Sequence, residues 1–406
     1  MAKHLDAICH RKDGGFALAG SSLTGNTWDG ALWLFNDWDH YINCPNIELE
    51  AFSTITGHND ITWLNQSKLL VAADSGDIEI WDVIAPGNML SCDSALYGGH
   101  DDMVLTVCVP KVKEEKEGES IVSGGGDGRI VVWDVSTAKV VCKYRAHVGW
   151  ITDIDYHPSQ PNVFISTGLD QTLRIWDTRQ SSPVTMSLKA PHHANCLCVS
   201  WSKYEDNFIA SGDEAGYLYL HDLRLPVNPN ASPFYYRLHS NAVHRLSFSP
   251  TVKGLVASVS DDSTAKLFHF PTQTTVFTSS SHADFVHGLS WQQDSTSFLT
   301  CSWDFKVYRH EFNESMIPDP VTPSVVPLTV SEMQDDSLFE NFVDEDTVHA
   351  EADMAKGKGR ERERKRDKTE GTDCNGMNES LGLNGKQGQA ALETNGGTHS
   401  DVGLAK

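Results

Sequence analysis

Short runs in which apolar and polar residues alternate recur along the first three-quarters of the chain, "VLTVCV", "RIVVW" and "TLRIW" among them. A period of two is the signature of strands, and no segment carries a convincing helical period, so the chain reads as all-β. The runs are also copies of one another. "LLVAADSGDIEIWD" ends at Trp81-Asp82, "IVSGGGDGRIVVWD" at Trp133-Asp134 and "FISTGLDQTLRIWD" at Trp176-Asp177. Weaker copies end at His221-Asp222, Phe268 and His310, and an earlier one, "FALAGSSLTGNTWDGALWLF", ends at Phe35. From Phe35 to His310 the copies advance in six steps of about 46 residues. A unit of that size cannot bury its apolar faces alone, so the seven copies are expected to pack side by side. Closing them into a ring leaves only short, protected strand edges.

Within the units four residue types recur at fixed offsets. A His opens an alternating strand, a Ser or Thr and an Asp follow four apart, and a Trp comes six residues later. His100, Ser123, Asp127 and Trp133 make one set, and His147, Ser166, Asp170 and Trp176 a second. Two partial sets follow: His239, Ser258 and Asp262 with Phe268 in the Trp position, and His282, Thr300 and Asp304 with His310 there. Carboxylate and hydroxyl oxygens accept, an imidazole both donates and accepts, and an indole N–H donates. Such a chain can be buried with every polar group satisfied, which fixes the geometry of its unit. Repeat length and polar set resemble the WD40 repeat, which implies a seven-bladed WD40 β-propeller over residues 4–312. Six of the 18 histidines begin repeats, which assigns them to this architecture ahead of metal binding or catalysis.

The repeat stops near residue 313. Residues 313–406 are Pro-rich at first, acidic at 331–353, basic at 356–368 and low in complexity beyond. So little apolar surface cannot offset chain entropy, and a mostly disordered C-terminal tail is expected. "SVVPLTV" is the one stretch there able to add an outer strand to the last blade. The net charge of −23 argues against nucleic acid as a direct partner and steers basic protein segments toward the chain. Nine cysteines include no CxxC pair, and Cys196 and Cys198 alternate along a strand, so at least one should face the interior. The N-terminus lacks a signal-like apolar stretch and no run approaches transmembrane length. A soluble, intracellular protein without membrane contact is expected.

"SGGGDG" at 123–128 lacks the GK[ST] ending and leads into a strand, so it reads as a turn and not as a phosphate cradle. No Ser-His-Asp or Cys-His set stands apart from the repeat, and adjacent His192 and His193 have no carboxylate or thiol set to complete a metal site. No enzyme, cofactor or metal is expected. "PKVKEEKEGES" at 110–120 reads as a solvated hairpin loop in blade three, and "LRLPVNPNASPFYY" at 223–236 as the connection between blades five and six. Met103, Trp150, Ala242 and Phe285 each stand three residues after a blade-opening His. Large apolar residues at that rim either anchor a partner or pack on the next blade. "RIWDTR" at 174–179 resembles the WDxR box of WD40 substrate receptors for cullin ubiquitin ligases, an alternative function in which Arg179 of the WDTR segment 176–179 docks the ligase adaptor.

In the first copy, "FALAGSS" and "GALWLF" read as a hairpin with "LTGNTWDG" as its loop. Core residues should alternate on the strands, as Leu32 and Leu34, or Trp33 and Phe35, do. Trp28 falls outside both strands between Thr27 and Asp29, on a loop stiffened by Gly25 and Gly30, and is expected to be exposed. An aromatic held this way enters a partner's pocket at low entropy cost. "LDAICHRKDGGFALAGSSLTGNTWDGALWLF", "LLVAADSGDIEIWD", "YRAHVGWIT" and "HADFVHGLSW" together resemble the WD-repeat methylosome proteins, partners of the type II protein arginine methyltransferase. The resemblance covers about residues 4–310. It implies a non-catalytic propeller that stabilises the enzyme in a hetero-octamer of four methyltransferases and four propellers. It also implies presentation of basic substrates, histones and Sm proteins, for symmetric arginine dimethylation, in cytoplasm and nucleus. By the same resemblance the blade-one loop binds the enzyme, with Trp28 inserting and Gly25, Asn26 and Asp29 beside it. Asn26 stands where the family pattern leads one to expect a basic residue.

Overall fold

The computed structural model describes residues 3–318 apart from 25–26, 45–46, 85–88, 112–119, 181–182, 190–193, 226–233 and 294. The chain divides into two compact units, 1–334 and 335–406, and the second lies outside the described residues, as does "SVVPLTV". Seven antiparallel sheets form a seven-bladed β-propeller. Each blade is a meander of consecutive strands, four in blades one to six and three in blade seven among the described residues. The innermost strands are Lys3–His10, His58–Trp63, Val104–Cys108, Ile151–Tyr156, Cys196–Trp201, Val243–Phe248 and Val286–Trp291. The ring closes where Lys3–His10 packs beside Val286–Trp291, with the His10 N–H donating to Ser290 Oγ at 3.0 Å.

Blades stack face to face, so the strands between inner and outer edges are covered on both sides. Val163–Gly168, Leu255–Ser260 and Ser297–Ser302 are buried at every position. Alternation survives on outer strands such as Lys139–Arg145. For the same reason Leu32, Trp33, Leu34 and Phe35 are all buried, not one alternating pair of them. Cys196 and Cys198 are likewise both buried and form no disulfide, and every other residue of their strand except Leu197 is buried too.

Three features differ from the sequence reading. Phe234–Arg237 is the outer strand of blade five, so the Pro/Asn-rich stretch joins two strands of one blade and not blades five and six. A short helix, Trp38–Asn43, links the third and fourth strands of blade one; Asp37 caps it by accepting from the His40 N–H. Its Trp38 and Tyr41 pack on Phe16 and Phe35, which is why a six-residue helix without a periodic pattern persists. The third difference concerns Trp28. The blade-one hairpin consists of Phe16–Thr24 and Thr27–Phe35, and Trp28 is a strand residue paired with Leu23.

The recurrent polar sets sit inside the blades. In blade three His100 lies 3.1 Å from Asp127 and 2.8 Å from Ser123 Oγ, which also accepts from Trp133 Nε1 at 2.8 Å. In blade four His147 lies 2.8 Å from Asp170 and 2.7 Å from Ser166 Oγ, and Trp176 Nε1 donates to that oxygen at 2.9 Å. Burial pulls both histidines below the usual imidazole pKa despite their aspartates, so both are neutral at physiological pH. Blade seven uses His310 in the indole's place, 2.9 Å from Thr300 Oγ1. Ser166→Ala is expected to orphan a buried imidazole nitrogen and an indole N–H together, at about 1–3 kcal/mol for each. Urea denaturation of wild type and variant measures this, and an unchanged midpoint would show that the set contributes nothing. Blade two departs from the pattern: Val71 occupies the hydroxyl position, and Trp81 Nε1 donates to Glu79, which also faces His58.

Candidate protein-interaction site

One rim of the ring is organised by a repeated bond. The hairpin between second and third strands donates a backbone N–H to the residue just before the inner strand: Gly126 to Met103, Leu169 to Trp150, Asp261 to Ala242 and Trp303 to Phe285. Inner-strand entries and these hairpins therefore share a rim. Trp150 and Phe285 are 44% and 38% exposed there, and Phe285 leans on the Trp303 ring with centroids 5.4 Å apart. Met103 and Ala242 are half-buried. Asp101, Asp102, Glu214 and Asp284 are exposed on the same rim, giving it acidic surface between aromatic residues.

Blade one differs from the others at this rim by register. Each inner strand carries a bulge at its start, and in blades two to seven the residue before the bulge pairs with the last residue of the second strand, as Ile151 does with Gly168 and Val243 with Ser260. The corresponding pair in blade one is Leu5 with Gly20. The hairpin then continues for four more pairs, Ser21 with Gly30, Ser22 with Asp29, Leu23 with Trp28 and Thr24 with Thr27. At ~3.3 Å per residue this carries the ladder roughly 13 Å past the register at which the other hairpins turn. Gly25 and Asn26, which connect the strands, and the side chain of Trp28 lie outside the description. Gly30 is not a turn residue. It pairs with Thr54, and a Cβ there would collide with the Thr56 carbonyl oxygen where the chain crosses toward blade two.

On the axis of the ring, the residue after each bulge points three charges at one another. Arg245 of blade six reaches Asp60 of blade two at 2.7 Å and Asp153 of blade four at 3.6 Å. The backbone N–H groups of Val107 and Val199 donate to the same two carboxylates, and Thr106 Oγ1 donates to Asp60. Burial raises the Asp153 carboxyl to about 7 even against the Arg245 charge. The three charges come from blades two, four and six, and the Thr106, Val107 and Val199 donors add blades three and five, so the cluster ties five blades together. The sequence reading missed it because isolated charges in alternating strands look like outward-facing residues.

Arg179 lies on the segment after the third strand of blade four, where Nε and Nη2 clasp Asp177 at 2.8 and 2.9 Å and hold its carboxyl down to about 2. Its side chain is 56% exposed. Arg224 makes the same clasp on Asp222 in blade five. The insertion at 112–119 and the His192-His193 pair lie outside the described residues; Lys111, at the insertion's start, pairs with Asp155 at 2.8 Å.

The family model of the WD domain, G-beta repeat, matches residues 92–134, 138–177, 233–269 and 273–308. The chain is 33% identical over 313 residues to the "Methylosome protein WDR77" of Xenopus laevis, covering 76% of this chain and 90% of that one. It is 28% identical over 178 residues to the "E3 ubiquitin-protein ligase COP1" of Arabidopsis thaliana, covering 44% of this chain and 25% of that one. A "DDB1- and CUL4-associated factor 7 homolog" of Dictyostelium discoideum is 22% identical over 277 residues, covering 64% and 82%.

Proposed function

The chain belongs to the WD-repeat methylosome protein family, and from that premise we propose that it is a non-catalytic adaptor subunit of a protein arginine methyltransferase complex. In this reading it binds and stabilises a type II methyltransferase, in an assembly of four enzymes and four propellers. The single observation that carries the docking mode is the blade-one hairpin, whose ladder runs four pairs beyond the shared rim with Trp28 on the extension. A paired hairpin is stiffer than the loop inferred from sequence, which lowers the backbone entropy cost of docking. Basic substrates, such as histone and Sm protein segments, are attracted by the acidic rim around Trp150 and Phe285. Residence in both cytoplasm and nucleus belongs to the same proposal; the basic run 356–368, interleaved with Glu361, Glu363 and Asp367, is either a nuclear signal or a solvated tail segment.

A second reading, substrate receptor of a cullin ligase, draws on the exposed Arg179 clasp and on ligase-associated relatives. Capture experiments with purified methyltransferase and purified cullin-ligase adaptor separate the two. Arg179→Ala is expected to leave methyltransferase capture unchanged, with no adaptor retained by either form. Adaptor retained by wild type and lost in Arg179→Ala would establish the ligase reading instead.

A further inference from the structure

The bulges place one unpaired residue of each inner strand at the channel mouth, and on blades six and seven that residue is a histidine. His244 and His287 stand 43 residues apart, one repeat, each skipped in the pairing of its strand. Their rings lie side by side with centroids 3.8 Å apart. Both face Asp261, the first residue of the adjoining rim hairpin in blade six. His244 Nε2 is 2.9 Å and His287 Nε2 3.4 Å from Asp261 Oδ1. That oxygen is buried, yet it accepts no aligned hydrogen bond from either ring. The two nitrogens are therefore close to the oxygen without being aimed at it.

We propose that His244, Asp261 and His287 form a binding site for a divalent transition-metal cation, Zn²⁺ first among them, at the channel mouth. The donor atoms lie within 4.8 Å of one another. Around a cation with bonds of about 2.1 Å, neighbouring donors sit roughly 3.0 Å apart in octahedral and roughly 3.4 Å apart in tetrahedral coordination. The two contacts to Oδ1 have these lengths. Two imidazoles and one carboxylate suit zinc, cobalt, nickel or copper ahead of magnesium or calcium, which favour oxygen alone. An outer carboxylate stands behind the set: the bulge residue of blade one, Asp6, lies 4.0 Å from His287 Nδ1. Asp6 is itself fixed by Ser21 Oγ at 2.7 Å and Trp303 Nε1 at 2.9 Å, and at 4.0 Å it adds negative charge beside His287 without a hydrogen bond to the ring. The remaining coordination positions would be taken by water. Neither the proposed methyltransferase partnership nor its test depends on this site.

The full chain, stripped with chelator and desalted, is titrated with CoCl₂ and followed by visible absorption, then back-titrated with ZnCl₂. One equivalent of Co²⁺ with d–d bands and no thiolate charge transfer, displaced by Zn²⁺, is expected. His287→Gln and Asp261→Asn should each weaken Co²⁺ binding by about tenfold or more. Absence of binding, or binding equally tight in the His287 and Asp261 variants, overturns the site. The wild-type spectrum remains decisive if a variant fails to fold: thiolate charge transfer would place the ion on cysteine and contradict the proposal.

Discussion

Arg245→Met is expected to destabilise the propeller by about 3 kcal/mol above neutral pH, near the lower end of the roughly 3–5 kcal/mol that follows breaking a buried ion pair. The lower end applies because the guanidinium is 26% exposed and water screens part of the loss. The variant leaves Asp60 and Asp153 facing each other across the channel without their counter-charge. The pH dependence follows from Asp153. Burial raises its folded pKa from the ordinary 3.8 to about 7, against the opposing Arg245 charge. A raised carboxyl pKa favours the fold in acid, and that advantage is lost as pH rises from about 4 through about 7. Removing Arg245 takes away the charge that holds this pKa down, so the variant should lose more at pH above 7 than near pH 5. Adding Asp153→Asn should recover part of the deficit. Urea denaturation at the two pH values measures both effects, and a small, pH-independent change would show that the axial cluster does not tie the blades together.

Trp28→Ala is expected to reduce methyltransferase affinity by about 2–4 kcal/mol, the range of an interface hot spot, while leaving thermal unfolding unchanged. The separation follows from register. Trp28 pairs with Leu23, three residues beyond Gly20, the position where the ladders of other blades end, so its backbone lies past that register. Trp33, five residues along the same strand, is fully buried and donates to the Ile47 carbonyl, and its loss should unfold blade one. Calorimetric titration of the enzyme with both forms supplies the comparison. Equal affinity for wild type and Trp28→Ala would remove the hairpin from the interface.

How far the sequence revealed this molecule depended on the kind of signal each part carries. The polar sets of blades three and four were legible because four residue types at fixed offsets recur across copies, and those residues meet in the structure. The hairpin was legible, but its turn was misplaced. "LTGNTWDG" looks like a polar loop between two glycines, yet Gly30 is required by the close approach of Thr56 and only residues 25–26 connect the strands. The fourth strand of blade one, Phe52–Thr54, was hidden behind a helix too short to show a period, and that of blade five behind prolines. Asp60, Asp153 and Arg245 come from three different repeats, so no local spacing marks them. His244 and His287 do carry a signal, "VHRLSF" and "VHGLSW" one repeat apart, which becomes visible only when inner strands are aligned on their bulges.

The mass of the assembly formed by mixing the purified full chain with purified type II methyltransferase tests adaptor function most directly, read by light scattering behind size exclusion. A single species containing equal numbers of the two proteins, at the mass of four enzymes and four propellers, is the expected result. Separate elution of the two proteins at micromolar concentration would contradict it.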